Sequence, residues 1–215
     1  MGLVVLCDFD GTITMVDTAE FVLGKFAVGD WRALDRQFEH GETTLEECLK
    51  HQFKLVRVSE EQMLDALEGV VSLRPHFDRL VQYCQDSSMP FIVVSAGLDF
   101  VIEHYLRANE WNESVQVCAA KAWATANGVE LEFPPLHDET SVNFKQDLAR
   151  KHKRQGETVI YIGDGSGDFD AAKEADRVFA VQGSKLAQLC QMHRVSFKPI
   201  TDFQEVINGI QDIPK

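Results

Sequence analysis

The sequence predicts an α/β fold, a parallel sheet with helices on both faces. Three observations predict it. Short apolar runs, Leu3-Val4-Val5-Leu6, Phe91-Ile92-Val93-Val94 and Thr158-Val159-Ile160-Tyr161-Ile162, are too short for helices and too apolar for surface strands. Stretches of helical spacing alternate with these runs, which calls for parallel strands joined by helices. Each run ends in polar or glycine-bearing residues, and in such sheets ligands bind outside the strand C-termini. At 215 residues with 45% hydrophobic content, the chain has ample material for such a core.

The first run leads into Cys7-Asp8-Phe9-Asp10-Gly11-Thr12. Carboxylates two residues apart on an extended chain share a side, and their repulsion is most simply offset by a divalent cation. Gly11 lets the backbone approach a ligand closely, and Thr12 offers a hydroxyl. The plainer alternative is a strand running into an Asp-Gly turn. Cys7 lies on the other face and reads as core.

From about Val16 to Ser72 no strand signal interrupts a charged helical pattern: Phe21, Val22, Phe26, Trp31, Leu34 and Phe38 recur at roughly helical spacing. Thr44-x-x-Glu47 and Ser59-x-x-Gln62 are capping boxes that open helices. The block reads as a small helical subdomain over the end of the first strand, or as helices of the main core.

Arg74-Pro75 restarts the chain, with proline suited to a first helical turn. Phe77, Leu80, Val81 and Cys84 form that helix's apolar stripe. The next strand ends in Ser95-Ala96-Gly97, and the helix from Asp99 to Asn109 places Ser95 beside a helix N-terminus, where anions are favoured. Val115 to Ala122 and Val129 to Phe133 read as a hairpin around Asn127-Gly128. A Pro134-Pro135 loop carries His137, read as a solvated histidine. In the helix from Val142 to His152, Lys145 near the start is unfavourable for the helix dipole; a surface lysine is the alternative to a functional one. The third run ends in Gly163-Asp164-Gly165-Ser166-Gly167-Asp168, a loop suited to close backbone approach and cation binding but too short for an EF-hand. Val178 to Val181 is a fourth strand, and helices at Gly183 to Met192 and Asp202 to Ile210 close the chain.

Composition excludes some functions. A net charge of −13 opposes binding to nucleic acid or to an anionic membrane surface. It does not oppose a phosphorylated small molecule, because a bound metal reverses the local sign. Five scattered cysteines without a C-x-x-C pair read as reduced thiols in an intracellular, cytoplasmic protein. Neither a signal peptide nor a membrane-length apolar run is evident. Oligomeric state is not legible.

Taken together, Asp8-x-Asp10-Gly11-Thr12, Ser95 at a strand end, Lys145, and Gly163-Asp164-Gly165-x-x-Asp168 resemble the four motifs of the haloacid dehalogenase superfamily, in order and over nearly the whole chain. The resemblance implies a Rossmann-like core of residues 1–15 and 73–215, and a helical cap of residues 16–72 like that of the phosphoserine-phosphatase branch. Within that branch, "DFDGTIT", "VSAGLDF" and "GDGSGDFDAA" are similar to the methionine-salvage 2-hydroxy-3-keto-5-methylthiopentenyl-1-phosphate phosphatases and to the phosphoethanolamine/phosphocholine and pyridoxal-phosphate type.

The implied activity is Mg²⁺-dependent hydrolysis of a small phosphorylated metabolite. Asp8 is the implied nucleophile, forming an aspartyl-phosphate, and Asp10 the acid and then base. Asp8, the Asp10 carbonyl and Asp164 would hold Mg²⁺, with Asp168 behind them. Gly11, Thr12, Ser95, Ala96, Gly97 and Lys145 would bind phosphate. Asp17, Glu20, Phe21, Trp31 and Gln52 are the candidates for choosing the leaving group. Glu20 reads equally as a binder of a cationic amine or as a first-turn helix acid. Gln52 falls where phosphoserine phosphatases carry an arginine for the substrate carboxylate. A phosphoserine phosphatase, a phosphomutase and a phosphoacceptor signalling module are the alternatives.

Overall fold

The computed structural model describes residues 2–213. Strand β1 (Leu3–Cys7) is central, between β2 (Phe91–Leu98) and β5 (Thr158–Gly163). The seven-stranded order is β4-β3-β2-β1-β5-β6-β7, with β3 (Gln116–Thr125), β4 (Gly128–Glu132), β6 (Arg177–Val181) and β7 (Lys198–Ile200) completing it. All neighbours are parallel except β3 and β4. The predicted α/β class and parallel sheet are therefore the observed ones. Strand β7 was not anticipated: a three-residue edge strand containing Pro199 gives almost no apolar signal.

Helices α1 (Thr18–Phe26), α2 (Trp31–Glu39), α3 (Leu45–Phe53) and α4 (Glu60–Leu67) make up the strand-free block. Each starts at a side-chain cap, from Asp17, Asp30, Thr44 and Ser59 in turn. Only Ser59 forms the reciprocal box with its glutamine. The Glu47 carboxylate instead accepts from the Thr43 hydroxyl at 3.1 Å, so the second expected box is half made. The block does not have a core of its own. Val22, Trp31, Phe53, Met63 and Leu67 belong to one buried cluster with Val5, Phe9, Ile13 and Phe77. Burying each such side chain contributes about 1.5–3 kcal/mol, so block and sheet share much of their stabilisation.

Helix α5 (Phe77–Asp86) does not begin at Pro75. Its cap is His76, held in the left-handed region at φ 66°, and the apolar stripe Phe77, Leu80, Val81 and Cys84 is buried as expected. The hairpin turn is shifted by one residue: Thr125 pairs with Gly128, so Ala126 and Asn127 make the turn. Gly128 at φ 121° opens β4, and a Cβ there would overlap the Lys54 backbone of the block. Helices α6 (Asp99–Ala108), α7 (Phe144–Arg154), α9 (Lys185–His193) and α10 (Phe203–Gln211) follow the expected order, and α8 (Phe169–Glu174) continues from the Gly163–Asp168 loop.

Candidate active site

The C-terminal ends of β1, β2 and β5 converge with the start of α7 on a cavity of about 190 Å³. Asp8, Asp10, Ser95, Ala96, Gly97, Lys145, Asp164 and Asp168 line it, with Asp17, Leu45 and Leu49 from the block.

Asp8 continues β1 and is 6% exposed. Its Oδ1 accepts from Lys145 Nζ at 2.8 Å, and the same ammonium donates to Asp168 Oδ1 at 2.7 Å. Lys145 is buried at the second position of α7. Burial pulls its pKa down, but the charges of Asp168 and Asp8 and its hydrogen bonds to both outweigh that and raise it. The dipole conflict expected for a lysine there is thus offset by two carboxylates. Burial, with the Asp168 charge next, pushes the Asp8 carboxyl well above the usual carboxylate range, against the pull of Lys145.

Asp10 meets neutral donors instead. Its Oδ1 accepts from the N–H of Thr18 at 2.9 Å and from the Thr18 hydroxyl, at the N-terminus of α1. Desolvation and then the Asp17 charge raise its pKa to about 7. Its other oxygen lies where a Cβ on Gly97 would be, which explains the glycine. Ser95 Oγ accepts from the Gly97 N–H at 3.0 Å. The β2–β3 register shifts between Ser95 and Leu98, a bulge that turns Ala96 and Gly97 toward the cavity.

Asp164 receives the Thr12 hydroxyl at 2.9 Å, and Gly11 at φ 69° lies so close that a Cβ would overlap its carboxylate. Desolvation and the Asp168 charge raise the Asp164 pKa to about 6. Asp168 is fully buried and saturated. Lys145 and the Tyr161 hydroxyl (2.7 Å) donate to its Oδ1, and the N–H groups of Asp164 (3.1 Å) and Gly165 (2.9 Å) to its Oδ2. Among the described residues, no hydrogen bond reaches Asp8 Oδ2, Asp164 Oδ2 or the Asp10 carbonyl.

Carboxylate oxygens of Asp8, Asp164 and Asp168 lie within 4.8 Å of one another. Three carboxylates against one ammonium leave an excess of negative charge, and the oxygen donors are hard. Both properties fit Mg²⁺.

A second cavity of about 320 Å³ adjoins the first and shares Asp17, Ala19, Leu45, Leu49 and Ser166 with it. Glu20, Trp31, Asp35, Glu39 and Gln52 line it. Asp17 borders both cavities and caps α1 through the Glu20 N–H at 2.7 Å. Glu20 lies 3.7 Å from Arg32, whose guanidinium lies over the Trp31 ring, 4.2 Å from its centroid. Gln52 is 1% exposed, and its Nε2 donates to the Trp31 carbonyl at 3.2 Å and to Asp35 at 2.6 Å. Phe21 lines neither cavity; it packs against the core with Lys25 beside its ring. His137 is a solvated loop histidine as expected, its side chain 63% exposed, with Nδ1 3.0 Å from Asp147.

Sequence reasoning missed Thr18, Tyr161 and Arg74. A tyrosine in an otherwise aliphatic strand and an arginine among apolar neighbours were the available signals.

The haloacid dehalogenase-like hydrolase model matches residues 5–173, which include all the motif residues. The chain is 28% identical to 2-hydroxy-3-keto-5-methylthiopentenyl-1-phosphate phosphatase of Exiguobacterium sibiricum, over 98% of this chain and 97% of that protein. It is also 28% identical to the Bacillus mycoides phosphatase of the same name, over 99% and 98%. The substrate-bound structure of a phosphoserine phosphatase has the same fold, with a TM-score of 0.70 at 16% identity over 97% of this chain and 98% of that one. The chain belongs to the haloacid dehalogenase-like hydrolase family.

Proposed function

We propose that this hydrolase is a Mg²⁺-dependent phosphatase that cleaves a small phosphate monoester through an aspartyl-phosphate on Asp8. The observation that carries this reading is the division between the two carboxylates at the end of β1. Asp8 is aimed by a buried ammonium, whereas Asp10 is held by neutral donors and has a pKa near working pH. Asp8 Oδ1 is fixed by Lys145, which leaves Oδ2 to attack phosphorus. Asp10, protonated below about 7, donates to the departing alkoxide and then takes a proton from water. Lys145 and Ser95 stand where phosphoryl oxygens gain charge. Asp164 and the Asp10 carbonyl, each with an oxygen free of hydrogen bonds, would hold Mg²⁺ together with the Asp8 carboxylate, whose Oδ2 is kept for the attack; Asp168 is spent on holding Lys145 and the loop. A bound Mg²⁺ supplies charge neutralisation of the phosphoryl group.

The block, residues 16–72, acts as the cap over this site, and the second cavity receives the leaving group. Among the described residues its lining has carboxylates and the rings of Trp31 and Phe38 but no basic side chain. A carboxylate-bearing alcohol such as serine is therefore disfavoured, and the amide nitrogen of Gln52, the donor a substrate carboxylate would need, is already committed. An uncharged or amine-bearing alcohol fits. The sequence relatives act on a phosphate whose name contains no carboxylate, which makes that methionine-salvage substrate the first metabolite to try. A cytoplasmic setting fits such a metabolite; among the described residues no helix is long and apolar enough to cross a membrane.

Incubation with p-nitrophenyl phosphate and Mg²⁺ tests the class, and a panel of phosphoserine, phosphoethanolamine, pyridoxal phosphate and the methionine-salvage ester tests the cap. Release of inorganic phosphate, with phosphoserine a poor substrate, is expected. Stable phospho-Asp8 without turnover would make the chain a phosphoacceptor module, and an isomerised ester without free phosphate a mutase.

A further inference from the structure

We propose, resting on the phosphatase reading above, that Arg74 is the positioning residue of the catalytic loop and ties the root of the helical block to it. The segments that leave and re-enter the sheet domain are joined. Met15 N–H donates to the Ser72 carbonyl at 2.8 Å, Arg74 N–H donates to the Ile13 carbonyl at 2.7 Å, and Thr14 pairs with Leu73 in antiparallel fashion. Arg74 is the first residue after this pairing, and its side chain turns inward to 7% exposure.

All three of its side-chain hydrogen bonds go to main-chain carbonyls. Nε donates to Thr12 O at 2.7 Å, Nη2 to Gly11 O at 2.7 Å, and Nη1 to Thr201 O at 3.3 Å, between β7 and α10. A buried guanidinium is costly, and packing alone would be served by an apolar side chain. What only the planar fork supplies is a grip on two consecutive carbonyls. Gly11 and Thr12 turn those carbonyls inward, away from the cavity side of the loop. On that side the Thr12 hydroxyl holds Asp164, Gly11 abuts the same carboxylate, and Asp10 stands one residue earlier. A shift of Gly11-Thr12 therefore moves the proton carrier and the Asp164 carboxylate together. Errors of about 1 Å in such placement cost roughly 100-fold in rate.

Arg74→Lys keeps charge and stem but loses the fork; Arg74→Met also loses the charge. With p-nitrophenyl phosphate and Mg²⁺, kcat of Arg74→Lys is expected to fall about 10- to 100-fold with KM within about three-fold of wild type. Hydrogen exchange by mass spectrometry should show faster exchange over residues 8–16 and unchanged exchange over 158–163. A kcat within two-fold of wild type and unchanged exchange over 8–16, whatever the melting temperature, overturns the proposal. If Arg74→Met does not fold, Arg74→Lys decides; if that also fails to fold, Arg74 belongs to the core and the proposal is wrong. The exchange arm stands apart from the phosphatase reading. A wild type that turns over no ester sinks that reading, while loosening of residues 8–16 still supports Arg74 as the clamp.

Discussion

At the strand ends, the side chains facing the cavity hold one another in place. Lys145 bridges Asp8 and Asp168, Tyr161 and two N–H groups complete Asp168, Thr12 holds Asp164 and Thr18 holds Asp10. Across the cavity, in the helical block, the lining is looser. Glu20 and Arg32 face each other at 3.7 Å with both side chains 61% exposed, and Asp35 and Glu39 add charge without a basic partner in the lining. The first region is pre-organised and buried, as groups that stabilise developing charge must be. In the second, Glu20 and Glu39 are exposed above the buried Trp31 and Gln52, an arrangement that on the proposed reading admits varied leaving groups. Substitutions in the floor should therefore change the chemical step for every substrate, and substitutions in the roof should change the ranking of substrates.

The largest effect is expected at the ammonium. Lys145→Met leaves two buried carboxylates without their cation, so stability should fall by about 3–5 kcal/mol in denaturant titration. Turnover should fall by at least about 10³-fold on every ester. A fall on one ester only would erase the division between floor and roof.

The next effect concerns Asp10 and has a defined sign. Its pKa is raised to about 7, so the acid is present below that value and lost above it. kcat/KM for an alkyl phosphate should fall as pH rises through about 7, and for p-nitrophenyl phosphate, whose leaving group needs little protonation, much less. The same shift acts on stability. The folded state holds the Asp10 proton more tightly than the unfolded one, so the associated stability is complete below the ordinary carboxylate pKa and is lost as pH rises through about 7. Asp10→Asn does not titrate, so its melting temperature relative to wild type should rise from pH 5 to pH 8. A relative melting temperature independent of pH would show that Asp10 titrates in the ordinary range.

Tyr161→Phe removes one of four donors to Asp168 while keeping the packing of the largest fully buried side chain. A loss of about 3- to 10-fold in kcat with unchanged KM is expected, in line with one neutral hydrogen bond among several. The smallest effects belong to the roof. Glu20→Gln should alter KM for amine-bearing esters by several-fold and leave kcat for p-nitrophenyl phosphate within about two-fold. An equal loss for all substrates would move Glu20 into the floor.

The same contrast governs what the sequence made legible. Asp8, Asp10, Ser95, Asp164 and Asp168 stand at or beside the ends of short buried runs, and a parallel sheet brings such ends to one edge whatever the loops do. Their convergence followed from pattern alone, whereas Lys145, at the start of a helix, read as a surface lysine until the family resemblance gave it a role. Arg74 and Thr18 were hidden because their roles lie in contacts with a distant main chain or with a loop whose path the pattern does not describe. Gln52 could be placed on a helix but not aimed; the structure turns it inward to tie α2 to α3. The bulge at Ala96-Gly97 was equally hidden, since a buried strand reads the same with or without one extra residue.

On the proposed mechanism, the two carboxylates that the chain places two residues apart take unequal roles. Rapid acid quench during turnover of p-nitrophenyl phosphate, followed by peptide mapping, tests it most directly. Phosphate attached to Asp8 and absent from Asp10, lost in Asp8→Asn and still formed in Asp10→Asn, is the predicted result. Phosphate on Asp10, or turnover retained by Asp8→Asn, would contradict it.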